Sequence, residues 1–163
     1  MKINWLSTLA SIVFLAVIAS HAFAHEHHAP HQGTLVVLGE EFSHVELVLD
    51  STTGELNAYV LDGEAENPVR VSQSSLIIKL KDHGKLVKLR LKPIANALTG
   101  EKVGDTSQYQ GTFEQLKGLG HFEGYISSIK SRGESFKDVR FLYPEGNEGV
   151  KWPDEKGTAH DSK

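Results

Sequence analysis

The sequence predicts an all-β domain: an antiparallel β-sandwich of about eight strands, immunoglobulin-like in the broad sense, with a small open β-barrel as the alternative. Three observations lead there. From Gly33 onward the apolar residues recur with period two in short runs, the runs are separated by Gly, Asp, Asn and Pro, and helical periodicity is nearly absent. Strands with turn signals at this spacing favour two packed layers or a closing sheet.

Thr34 to Leu38 forms the first expected strand. In the second, Val45, Leu47 and Leu49 point one way and His44, Glu46, Val48 and Asp50 the other, giving a core face and a mixed outer face. The polar segment Asp50 to Glu55 turns the chain into the strand Leu56 to Leu61, and Asp62-Gly63 ends it. The clearest hairpin joins Leu76, Ile78 and Leu80 to Val87, Leu89 and Leu91 through Lys81-Asp82-His83-Gly84-Lys85. A polar loop is expected between Pro93 and Ser107, after which strands resume at Gln108–Phe113, Phe122–Ile129 and Phe136–Tyr143. Alternation assigns the aromatic residues Tyr109, Phe113, Phe122, Tyr125, Phe136, Phe141 and Tyr143 to the core.

The two ends read differently from this middle. Lys2, the apolar run Ile12 to Ile18 and the triplet Ala22-Phe23-Ala24 have the order of a secretory signal cleaved after Ala24. The apolar stretch Leu9 to Ala19 is shorter than the roughly 20 residues a membrane-spanning helix needs, so no membrane anchor is expected after cleavage. Residues 1–24 are therefore assigned to the signal, 25–32 to a mobile histidine-rich tract, 33–144 to the β-domain and 145–163 to a flexible polar tail in which only Trp152 is strongly apolar. A periplasmic or secreted location follows. Loss of Lys2 takes the formal charge from −4 to −5, a balance that argues against a nucleic-acid partner. There is no cysteine, so disulfides and thiolate ligands are excluded.

Nine histidines occur in the chain, and one of them, His21, lies in the signal. Four of the other eight fall within the seven residues His25-Glu26-His27-His28-Ala29-Pro30-His31. Neutral imidazoles bind copper, nickel and zinc, and clustering lets several close on one ion. A free amine at His25 with the imidazole of His27 and two backbone amides would give four nitrogens suited to square-planar Cu(II) or Ni(II). In a rival mode the His25 amine and ring chelate together and His27 or His31 completes the set. Zn(II) could be held by His27, His28 and His31 with Glu26. A solvated tail without a physiological ion is the plainer reading of such a tract.

The segment His28-Ala29-Pro30-His31-Gln32-Gly33-Thr34-Leu35-Val36-Val37-Leu38-Gly39, followed by His44-Val45-Glu46-Leu47-Val48, resembles small exported bacterial proteins that begin H-G-P-H-G-G-x-L-V-x-L-G and continue H-x-E-L-V. The resemblance covers about 20 residues. It implies a role in heavy-metal efflux or periplasmic metal handling and carries over by position to His28, His31, His44 and Glu46. Ala29 and Gln32 stand where that pattern has glycines.

If the first two strands pair through Gly39-Glu40-Glu41-Phe42, His44 falls opposite Val37 and His31 near Asp50, about 20 Å away at roughly 3.3 Å per residue. One ion could not then bind both; strands in opposite sheets would instead let His31, His44 and Glu46 converge. His44 alone reads as an exposed strand residue, and His83 as a solvated turn residue. His121 follows a glycine-rich loop that is too short for a phosphate loop. No G-x-S-x-G elbow or other catalytic motif appears, so an enzyme is not expected. Two functions remain. One is a periplasmic accessory that captures or delivers Cu(II), Ni(II) or Zn(II) through His25, His27, His28 and His31, with His44 and Glu46 as further candidate ligands, and serves an efflux partner. The other is a cell-envelope interaction module with no metal.

Overall fold

The computed structural model describes residues 28–152. Eight strands form: β1 (Thr34–Leu38), β2 (Ser43–Asp50), β3 (Glu55–Leu61), β4 (Leu76–Asp82), β5 (Lys85–Pro93), β6 (Gln108–Thr112), β7 (Phe122–Ser131) and β8 (Glu134–Tyr143). One 3₁₀ turn, Glu114–Leu116, lies between β6 and β7. The fold is all-β and antiparallel, as the periodicity predicts. Among the described residues no helix is long and apolar enough to cross a membrane.

All eight strands belong to one sheet with the order β1-β2-β3-β6-β5-β4-β7-β8. The sheet curls until β1 approaches β8, which makes it a nearly closed barrel whose two halves face each other across the core as the layers of a sandwich would. Two hairpins turn on pairs of residues with positive φ, His83-Gly84 (45° and 80°) and Arg132-Gly133 (48° and 93°). That geometry matches the right-handed twist of the flanking strands.

Inward positions of all eight strands supply one core. Val36, Val45, Leu47, Leu56, Val60, Ile78, Leu89, Leu91, Tyr109, Ile126 and Phe141 are completely buried. Each such aliphatic side chain contributes about 1.5–3 kcal/mol through withdrawal from water. Tyr109 keeps its hydroxyl satisfied by donating to the Gln73 carbonyl at 2.9 Å, and burial pushes that phenol up to about 12. Tyr125 departs from the expected core set. It lies outward between the inward Gly124 and Ile126, and its hydroxyl donates to Glu123 at 2.7 Å. Glu123 also receives Lys81 at 2.7 Å and Arg140 at 2.7 Å.

The gap between β1 and β8 is closed by the chain that follows β8. Asn147 accepts the Val37 N–H at 2.7 Å and donates to the Val37 carbonyl at 3.0 Å, so one side-chain amide replaces a neighbouring strand residue. Thr34 donates to the Pro144 carbonyl at 3.0 Å. Gly146 approaches so closely that a Cβ there would lie 2.3 Å from the Leu35 carbonyl oxygen. Residues 145–147, expected to begin a loose tail, are thus tied to the barrel. Trp152 lies under the Arg140 guanidinium at 4.4 Å, and residues 153–163 are outside the described residues.

Candidate metal centre

The β2–β3 register sets Glu46 beside Tyr59 on the outer face of the sheet, and β1 sets it beside Leu35. Before β1 the chain reverses. The Gln32 N–H donates to the Ala29 carbonyl at 3.0 Å, and Gln32 adopts φ 59° at a position where the resembled pattern has glycine. This turn folds His31 back over β2. Gly33 then passes so near β2 that a Cβ would stand 2.6 Å from the Leu47 carbonyl oxygen.

Glu46 is fully buried beneath this reversal. Its Oε1 accepts the N–H of His31 at 2.8 Å and that of Gly33 at 2.9 Å, while Oε2 lies 2.7 Å from His31 Nδ1. A carboxylate receiving two backbone N–H groups acts as acceptor throughout, so Nδ1 carries the hydrogen, and in the neutral ring Nε2 is the acceptor. The imidazole lies flat on the Tyr59 ring, with centroids 3.7 Å apart and planes 8° from parallel. Desolvation, then the charges of Glu46 and Glu55, push the Tyr59 phenol above its ordinary range. His31 is therefore fixed on one nitrogen and one face, yet its side chain remains 43% exposed.

His31 and Tyr59 border a cleft of about 320 Å³ that also reaches Glu66 and Glu101. Burial works to raise the Glu101 carboxyl, but bonds from the Ser107 hydroxyl and N–H, then from Thr99, outweigh it and hold Glu101 below its usual range. The Ser107 donors sit at 2.6 and 2.8 Å on Oε1 and the Thr99 hydroxyl at 2.8 Å on Oε2. The wall of the cleft thus carries a fixed negative charge.

The first two strands pair with His44 opposite Val37, as their hairpin predicts, but His31 does not continue toward Asp50. The Ala29–Gln32 turn carries it to Glu46 instead. His44 is completely buried, contrary to the exposed strand residue expected. The connection after β3 covers it, with Nδ1 3.0 Å from the Asp62 carbonyl oxygen. From Ser43 to Leu47 the outer face of β2 is in this way as enclosed as its core face. His28 is exposed, and His25 and His27 lie outside the described residues. His83 is 96% exposed beside Asp82, and His121 Nε2 lies 3.9 Å from Glu145.

No family model, curated protein or solved structure matches this chain. Among the described residues no three His, Asp or Glu side chains gather as a metal-binding group, so an ion on His31 would need donors from beyond its immediate contacts. Tyr59, Asp62 and Glu101 are parts of this region that the sequence pattern did not single out. Tyr59 could have been found from the β2–β3 register, since a hairpin that places Leu49 opposite Leu56 also places Glu46 opposite Tyr59.

Proposed function

We propose that this protein is a periplasmic transition-metal-binding accessory that captures Cu(II), Ni(II) or Zn(II) with its N-terminal histidine tract and passes the ion to an efflux or delivery partner. The observation that carries this reading is the His31–Glu46 contact. A carboxylate on Nδ1 that fixes ring and tautomer, with Nε2 left as acceptor, is the outer-shell arrangement typical of metal-ligating histidines. His31 supplies the ligand anchored to the barrel, and His25, His27 and His28 supply the rest of the set. Transfer is ligand exchange among imidazoles, with no chemical turnover.

The test begins with mass spectrometry of the exported form, followed by Cu(II), Ni(II) and Zn(II) titration of that form, of a variant lacking His25–His31, and of His31→Ala. Stoichiometric binding that truncation abolishes and His31→Ala weakens is the expected result. Equal binding by all three proteins would move the site away from the tract. The metal-free alternative, an envelope interaction module, draws on Leu98 and Val103, which are 99% and 68% exposed on the loop bordering the cleft. Under that alternative the truncated protein keeps its partner.

A further inference from the structure

The chain is acidic, with 17 Lys and Arg against 21 Asp and Glu, yet its cations are not evenly spread. On β5 the inward residues are Val87, Leu89 and Leu91, which leaves Leu86, Lys88, Arg90 and Lys92 along the outward face. All four are exposed, Leu86 by 55%. The neighbouring strand adds Lys79 directly opposite Lys88 and Lys81 opposite Leu86. Like charges facing each other across a strand pair are destabilising, so the fold sustains the Lys79–Lys88 pair at a cost. Lys79 and Lys81 are answered by Asp138 at 2.5 Å and Glu123 at 2.7 Å. Among the described residues neither Lys88 nor Lys92 has a carboxylate within 4 Å.

We propose that the outward face of β5 is a docking surface for an anionic phospholipid bilayer. Residues two apart on a strand are separated by roughly 6.7 Å, so Lys88, Arg90 and Lys92 form a straight line of cations over roughly 13 Å. Leu86 lies in the same line and can enter the headgroup layer while the cations meet phosphates. No aromatic side chain shares this face of β5, so it lacks the stacking platform that single-stranded nucleic acid requires. The acidic remainder of the molecule is repelled by the same membrane, which selects the orientation in which this strip faces the lipid.

The experiment is sedimentation of the exported form, in EDTA and at low salt, with vesicles of phosphatidylcholine alone or with about a quarter phosphatidylglycerol. Binding to the anionic vesicles only, lost as salt is raised, is the expected result. Each basic residue near such a surface is worth about 1 kcal/mol, so K88Q/R90Q/K92Q should lower the partition coefficient about 100-fold. Leu86→Ser should lower it several-fold at all salt concentrations, and Lys137→Gln on β8 should leave it nearly unchanged. A melting curve confirms that the triple variant folds, and Lys92→Gln alone, with an expected loss of about fivefold, serves if it does not. Undiminished binding by the β5 variants overturns the proposal, and so does failure to bind either vesicle, with or without binding to soluble heparin. EDTA keeps the result independent of the metal reading.

Discussion

Glu46 is a buried carboxylate whose two oxygens take three hydrogen bonds from one short segment, His31 to Gly33. Replacing it by Ala leaves two backbone N–H groups and an imidazole N–H without their acceptor. Its cost to stability should be about 1–3 kcal/mol, measured by urea unfolding. Glu46→Gln is the sharper variant, because an amide oxygen still serves the backbone while the carboxylate charge facing His31 Nδ1 is lost. Metal affinity of the exported form should then fall about 10–100-fold, read by competition with a chromophoric chelator. In the parent protein, nitrogen NMR of the His31 ring should show Nδ1 protonated, and Glu46→Gln should shift that tautomer balance toward Nε2. The His–Glu pairing was only half legible in the sequence. The resemblance named both residues, but extended backbone through His31 predicts a path toward Asp50, and only the left-handed Gln32 redirects it. The burial of His44 was not legible at all, because alternation marks a face as outward without saying that a later loop will cover it.

At the scale of elements, the strands themselves were readable because period-two alternation is a local property. Their order was not. β6 enters between β3 and β5, a pairing set by which edges remain open after the 62–75 connection has crossed the barrel, and no residue of β6 announces it. Tyr125 shows the limit of assigning the whole aromatic cluster to the core by alternation, since Phe122, Gly124 and Ile126 take the inward positions of β7 and leave Tyr125 on the opposite face. The closure of β1 against β8 rests on a few contacts and is correspondingly easy to test. Asn147→Ala removes both side-chain bonds to Val37 and leaves an open strand edge, and Gly146→Ala adds a Cβ where the Leu35 carbonyl already stands. Each should destabilise by about 1–3 kcal/mol. The first should also promote concentration-dependent self-association through the exposed edge, visible by analytical ultracentrifugation. Faster hydrogen exchange confined to Val37 would separate a local opening of the seam from global loss of stability.

The molecule as a whole should be acid-sensitive for an identifiable reason. Burial works to raise Glu101 and Glu123, but hydrogen bonds from Ser107 and Thr99 in one case, and from Lys81, Tyr125 and Arg140 in the other, bring both carboxyls below the ordinary glutamate value of 4.5. A depressed folded-state value means that the unfolded chain takes up protons first. The stabilisation is fully present above 4.5 and is lost as pH falls through the folded values. Unfolding free energy should therefore drop below that pH, and E101Q/E123Q should flatten the slope while lowering stability near neutrality. Net charge is another property of the whole. It averages over the surface and hides the Lys88-Arg90-Lys92 row, although the alternation that marks β5 already placed those three side chains together. The Asn147 seam has one more consequence. The barrel is a ring with a single break, and that break lies between the strands nearest the two chain ends, with Thr34 hydrogen-bonded to Pro144. The cut is thus a matter of connectivity, independent of the strand pairings. A short linker joining the ends, with a new opening at the exposed His83-Gly84 turn, should yield a circular permutant that folds to the same ring.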